Sequence, residues 1–195
     1  MQKFEDIFGK YIEKSCHNSS LLESDVIGLQ IATEDNAIRV ALSSPCIIPY
    51  SAIAEAQRIL SMNLSARSVA ISARYPSELL GPEAFSLVID YLKAANVPVN
   101  GFFRRAEIMY DNRCFTVRLP EQTVTFLEPL ALPGKIAAQA EALFGIRPQV
   151  SFIPVPDYEL KPIDPRPTVV DDYIPEIPPI PEEAPPWEDA TPSSK

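Results

Sequence analysis

The chain has 195 residues, 46% of them hydrophobic, with 21 prolines and a formal net charge of −9; this length suits one domain or two small ones, with apolar content enough for a core. The charge is uneven: residues 154–195 hold ten acidic residues, three basic ones and twelve prolines, whereas residues 1–153 hold sixteen acidic and fourteen basic. That balance argues against a nucleic-acid footprint, which needs a clustered basic face, and it places any core before residue 154. Cys16, Cys46 and Cys114 lie far apart with no CxxC pair, which argues against a disulfide framework or a zinc site and fits a reducing cytoplasm. The opening MQKFEDIFGKYIEK has no apolar run after a basic stretch, so neither a signal peptide nor a membrane span is expected, and no membrane partner.

From the N-terminus, Phe4, Ile7, Phe8, Tyr11 and Ile12 recur at three- and four-residue spacing and predict a short amphipathic helix. Residues 15–20 then break it. DVIGLQIATEDNAIRVALSS reads as a hairpin around the polar turn 33–36, with Val26, Ile31, Ile38, Val40 and Leu42 expected inward. Pro49 opens a helix carrying Ile53, Ala56, Ile59 and Leu60 on one face, and RSVAISARY is a third strand. Pro82 opens a second helix, PEAFSLVIDYLKA, with Phe85, Val88, Ile89 and Leu92 as its stripe and Asn96 as its stop. Residues 97–105, with Pro98 and Gly101, read as a connection. AEIMY, CFTVRL and QVSFI are strands, and the segment before the last of them is a helix interrupted near Pro129 and Pro133 and ended by Gly145. Both halves follow a strand, strand, helix, strand order, which is α+β.

The residues offer little catalytic chemistry. His17 is the only histidine and sits beside Cys16 in a polar stretch, where no third group is evident to orient a catalytic pair. The Walker-type, dinucleotide, nucleophile-elbow and HExxH motifs are all missing. Pro133-Gly134-Lys135 lacks the upstream glycine of a phosphate loop, and the acidic pairs Glu34-Asp35 and Asp171-Asp172 fall in a turn and in the tail. No catalytic, cofactor-binding or metal-binding residue is therefore assigned. Arg104 and Arg105, with Arg113, Arg118, Lys135 and Arg147, could line a modest basic face. Phe102 and Phe103 beside the arginine pair are either packing anchors or a stacking platform for bases, so Phe102, Phe103, Arg104 and Arg105 are the candidate nucleic-acid contacts. In the tail, PxxP spacing at Pro162, Pro175 and Pro178 suits docking grooves, and Trp187 in PPWED is the candidate partner motif. Stretched out, residues 154–195 would reach roughly 130 Å.

NAIRVALSSPCIIPYSAIAEAQRIL, FSLVIDYLKA, RCFTVRLP and QAEALFGIRPQVSFI, in that order, resemble the amino-terminal region of PolC-type DNA polymerase III, the replicative polymerase of low-GC Gram-positive bacteria. The likeness covers roughly residues 24–153. It implies a first unit similar to the polymerase-binding end of the clamp-loader tau subunit, a second similar to a reduced KH domain, and a linker toward OB, PHP, exonuclease and polymerase segments. The expected organisation is an N-terminal helix and linker over residues 1–23, a partner-binding α+β unit over 24–96, a KH-like α+β unit over 97–153, and a disordered acidic, proline-rich linker over 154–195. The implied function is a non-catalytic attachment region for replisome proteins (clamp loader, helicase loader or polymerase core), with no cofactor and DNA as a weaker partner, inside a parent enzyme that performs templated DNA synthesis with 3'-5' proofreading. The alternative is a free-standing replication adaptor or a tau-type interaction module without enzymatic activity. Pro133-Gly134-Lys135-Ile136 does not match the GxxG loop with which KH domains grip nucleic acid.

Overall fold

The computed structural model describes residues 2–12, 18–99 and 101–156. The chain divides into Met1–Ile163 and Asp164–Lys195, and every described residue belongs to the first of these. Cys16, His17, Asp171, Asp172, Trp187 and the PxxP segments lie outside the described residues. The architecture is α+β, with two mixed sheets and six α-helices among the described residues.

The first sheet has the order β1 (Gln2–Lys3), β2 (Asp25–Ala32), β3 (Ala37–Ser43) and β4 (Ser68–Arg74). The first two pairings are antiparallel, and β3 and β4 are parallel. Parallel neighbours need a crossover, supplied by the helix Tyr50–Asn63. Pro49 stands just before it with its φ already at −56°, which costs no backbone donor where the first helical N–H groups have no partner anyway. Two short helices precede β2: α1 (Phe4–Phe8), which buries Phe4 and Phe8, and α2 (Ser19–Leu22), capped by Asn18, whose Oδ1 accepts from Leu21 N. The crossover is therefore α3, and it buries Ile53, Ala56, Ile59 and Leu60 over Val40 and Leu42 of β3 and Val69, Ile71 and Ala73 of β4. β4 alternates strictly between exposed and buried, as a strand covered on one face must.

Helix α4 (Pro82–Ala94) follows, with Phe85, Val88, Ile89 and Leu92 all buried. Asn96 stops the chain's helical run in a left-handed conformation, φ 58°. The second sheet has the order β5 (Glu107–Asp111), β6 (Cys114–Pro120) and β7 (Gln149–Val155), antiparallel then parallel. Its crossover is α5 (Glu121–Leu127), a 3-10 turn over Glu128–Leu130, and α6 (Leu132–Phe144). Gly145 ends α6 at φ 71°, its N–H returning to Glu141 O at 2.8 Å, the left-handed cap that glycine adopts without strain. One cluster of buried side chains runs through both sheets. Phe85 lies 5.4 Å, ring to ring, from both Phe103 and Phe115, and Tyr75 lies 5.4 Å from Phe144. Tyr75 N also donates to Leu143 O at 2.8 Å, tying the end of β4 to the last turn of α6.

Several expectations need correction. The N-terminal helix is α-helical only over Phe4–Phe8 before tightening into a 3-10 turn at Gly9–Tyr11. The interruption expected near Pro129 and Pro133 is present, in the 3-10 turn that holds Pro129 and at Ala131, left-handed at φ 49°, but Pro133 itself sits in the first turn of α6. β7 runs through Pro154 to the buried Val155, two residues beyond the predicted strand. Ile31 was expected inward but is 65% exposed. It lies opposite Ile38, on the core-facing side, yet it belongs to the outer strand of the hairpin, where the helical layer ends.

Candidate interaction site

Phe102, Phe103, Arg104 and Arg105 share a short turn, with Gly101 at φ 76° and Arg104 N donating to Gly101 O at 3.2 Å. The structure separates the two phenylalanines. Phe103 packs between Phe85 and Phe152, with centroids at 5.4 and 6.0 Å, and is a packing anchor. Phe102 instead stacks at 5.2 Å on Phe126, which α5 leaves 59% exposed. Gly101, Phe102, Arg104 and Arg105 line a depression of about 400 Å³, closed on its other side by Pro120, Gln122 and Thr123. Sequence reasoning missed Phe126, Gln122 and Thr123. The one available signal was a phenylalanine placed off the apolar stripe of a short helix.

The other basic residues do not extend this patch. Arg113 lies in the β5–β6 turn, and its carbonyl accepts from Gln149 N at 2.9 Å, so it sits at the opposite end of the second sheet. Arg147 is held by Glu141 at 3.0 Å, and Arg118 by Glu107 across the strands at 2.7 Å. Lys135 lies in the first turns of α6. Pairing and dispersal leave, among the described residues, no continuous basic face of the kind that phosphate contacts need.

A second feature lies along β2. β1 pairs with β2 only at Asp25 and Val26, and Lys3 holds Asp25 at 2.9 Å. Among the described residues no strand pairs with the outer edge of β2 beyond Val26. A bulge between Val26 and Gly28 displaces Ile27, after which Leu29 stands opposite the buried Val40 and Ile31 opposite Ile38. Their side chains face the core side but are 49% and 65% exposed. Beyond them come Glu34 and Asp35, both exposed in the hairpin turn.

Three tyrosines gather where α3, β4 and α4 meet. Tyr50 and Tyr91 make an edge contact at 4.8 Å, and the Tyr75 hydroxyl donates to Ile48 O at 3.4 Å. Burial pushes Tyr75 up to about 12. Tyr91 is raised further, first by burial and then by the two neighbouring tyrosines. Arg58 holds the Glu55 carboxyl below its usual range through their hydrogen bonds on the exposed face of α3. Cys46 and Cys114 carry free thiols. Among the described residues no three His, Cys, Asp or Glu side chains group in a way that could hold a metal ion, and no helix is long and apolar enough to cross a membrane. No family model and no curated protein matches the chain.

Proposed function

We propose that this chain is a protein-interaction module that contributes attachment rather than catalysis. Within that class, we propose the amino-terminal replisome-interaction region of a PolC-type DNA polymerase III, with residues 24–96 as the tau-tail-like unit and residues 97–153 as the reduced KH-like unit. The observation that carries the reading is the tandem arrangement of two hairpin–crossover layers in the order the resemblance expects. The β6, α5, α6 and β7 run, a hairpin strand followed by a helical crossover to a parallel strand, supports the second, KH-like half of that reading. Ala131 is left-handed just before α6, and Pro133-Gly134-Lys135 forms the first turn of that helix instead of a GxxG loop, which supports protein attachment over nucleic-acid grip.

The test is equilibrium binding of the full chain to a clamp-loader tau subunit and to a helicase loader. Micromolar or tighter binding to one of them is expected; absence of binding to both would overturn the reading. Probing a cell extract with an antibody against residues 24–153 separates the two forms of the proposal. A polypeptide several times larger than 21.6 kDa identifies a polymerase front end, and one of that size identifies a free-standing adaptor.

A further inference from the structure

The four outer strand edges of the two sheets are not treated alike. A bare row of backbone N–H and C=O groups is a template for another strand, and folded chains blunt such rows with charge, proline or cover. β4 is covered: the Gln57 side chain accepts from Ile71 N at 2.7 Å, and Leu143 O accepts from Tyr75 N. β7 carries Pro154 within its ladder. β5 presents the exposed acids Glu107 and Asp111, and α4 lies over it. β2 carries a bulge between Val26 and Gly28, a further such device, but past it, over Leu-Gln-Ile-Ala at residues 29–32, it has neither charge, proline nor cover among the described residues. There the bare edge coincides with the apolar ledge of Leu29 and Ile31.

We propose that the β2 edge is a docking site for an extended segment of a partner protein, which adds to the first sheet as a further strand. Backbone pairing would supply affinity, and alternate apolar side chains of the segment would cover Leu29 and Ile31, since side chains of paired strands meet on the same face. Charge selects among the available occupants. Glu34 and Asp35 follow the edge and Glu23 precedes it, all exposed, while Arg39 pairs opposite Gln30 on the other face of the sheet. Antiparallel pairing with a second copy of β2 would bring the acidic turn of one chain toward Glu23 of the other. The chain's own residues 154–195, with ten acids against three bases, meet the same repulsion. The segment that fits is apolar at alternate positions and flanked by lysine or arginine. This inference rests on reading the chain as an interaction module and names the surface that module uses.

The experiment uses the full chain and two nine-residue peptides, Lys-Lys-Val-Thr-Val-Thr-Val-Lys-Lys and its glutamate-flanked counterpart. Binding is followed by fluorescence anisotropy, and amide hydrogen exchange is read at residues 27–32. The lysine-flanked peptide is expected to slow exchange there and to bind at least about tenfold tighter than the glutamate form. Ile31→Lys, which guards the edge with charge, should abolish that protection with an unchanged melting temperature, and methylating the valine amides of the peptide should do the same. Equal binding of both peptides, no protection, or indifference to both changes would overturn the proposal. Protection in the free chain that fades on dilution would replace the partner by a second copy, and concentration-independent protection would replace it by the chain's own tail; either overturns it. If a replisome protein binds wild type and Ile31→Lys alike, the edge proposal fails and the function stands. If the peptide binds at the edge and no replisome protein does, the function fails and the edge stands.

Discussion

The two sheets are made by the same moves, a hairpin and then a helical crossover to a parallel strand, but they differ in what becomes of the hairpin's outer strand. In the second sheet Ile108 and Tyr110 of β5 pack into the core, with Tyr110 at 4.6 Å from Phe115, and α4 from the preceding layer lies over them. In the first sheet Leu29 and Ile31 of β2 hold equivalent positions without a comparable roof. The second layer thus draws its cover from two crossover helices and a helix of its neighbour, whereas the first has α3 and the short N-terminal elements. Topology fixes where an apolar face points; whether it is buried depends on how many helices the rest of the chain can spare.

The strongest way to break this comparison is to remove the borrowed helix's anchor. Phe85→Ala deletes a ring that is 1% exposed and touches both Phe103 and Phe115, and should cost about 3–5 kcal/mol. Chemical denaturation read at probes in both layers should show one shared transition at a lower midpoint; two separated transitions would mean that the second layer does not depend on α4. A second lever is pH. Tyr75 and Tyr91 hold their protons more tightly folded than unfolded, so their contribution is complete below about pH 10 and is lost as pH rises toward their folded values. Stability should fall in that range by about 1.4 kcal/mol per pH unit per tyrosine. Urea titrations of Tyr75→Phe and Tyr91→Phe should show a shallower fall.

The crossover ends give a finer contrast. α6 ends on Gly145 at φ 71°, but the chain leaving α3 turns left-handed at Ser65, φ 50°, whose carbonyl accepts from Asn36 Nδ2 at 3.0 Å. Gly145→Ala should therefore lose about 1 kcal/mol, although no atom stands within 4 Å of the added methyl. Ser65→Gly should gain up to about 1 kcal/mol. Opposite signs in thermal melts would sharpen the comparison, and equal signs would break it. Smallest of all, reversing the charge of the exposed Arg104 should change stability by no more than about 0.5 kcal/mol and leave binding to a replisome partner unaltered.

Helices α3 and α4 were legible because a proline marks each start and a four-residue apolar stripe marks each buried face. The hairpin and the strands of the second sheet were legible from alternation and turn residues. β1 and α2 were not, since two and four residues are too few for any period to register, and their positions follow from pairing with β2 and from the Asn18 cap. The candidate site was half legible. Phe102, Phe103, Arg104 and Arg105 are adjacent in sequence, but only packing sends Phe103 into the core and Phe102 onto Phe126. The β2 edge was invisible because an unpaired strand is defined by what fails to lie beside it, and the apolar pattern of DVIGLQIA reads the same with or without a neighbour.

The hydrogen bond from Tyr75 to Leu143 links segments made at different times. A ribosome finishes β4 well before it begins α6, so the first sheet emerges with its last strand complete but that strand's end still waiting for its cover. During that interval the Gln57 side chain holds the middle of β4, while the end of that strand still lacks the Leu143 carbonyl that receives Tyr75 N. Closure by α6 is therefore a late, long-range step that covers the end of β4.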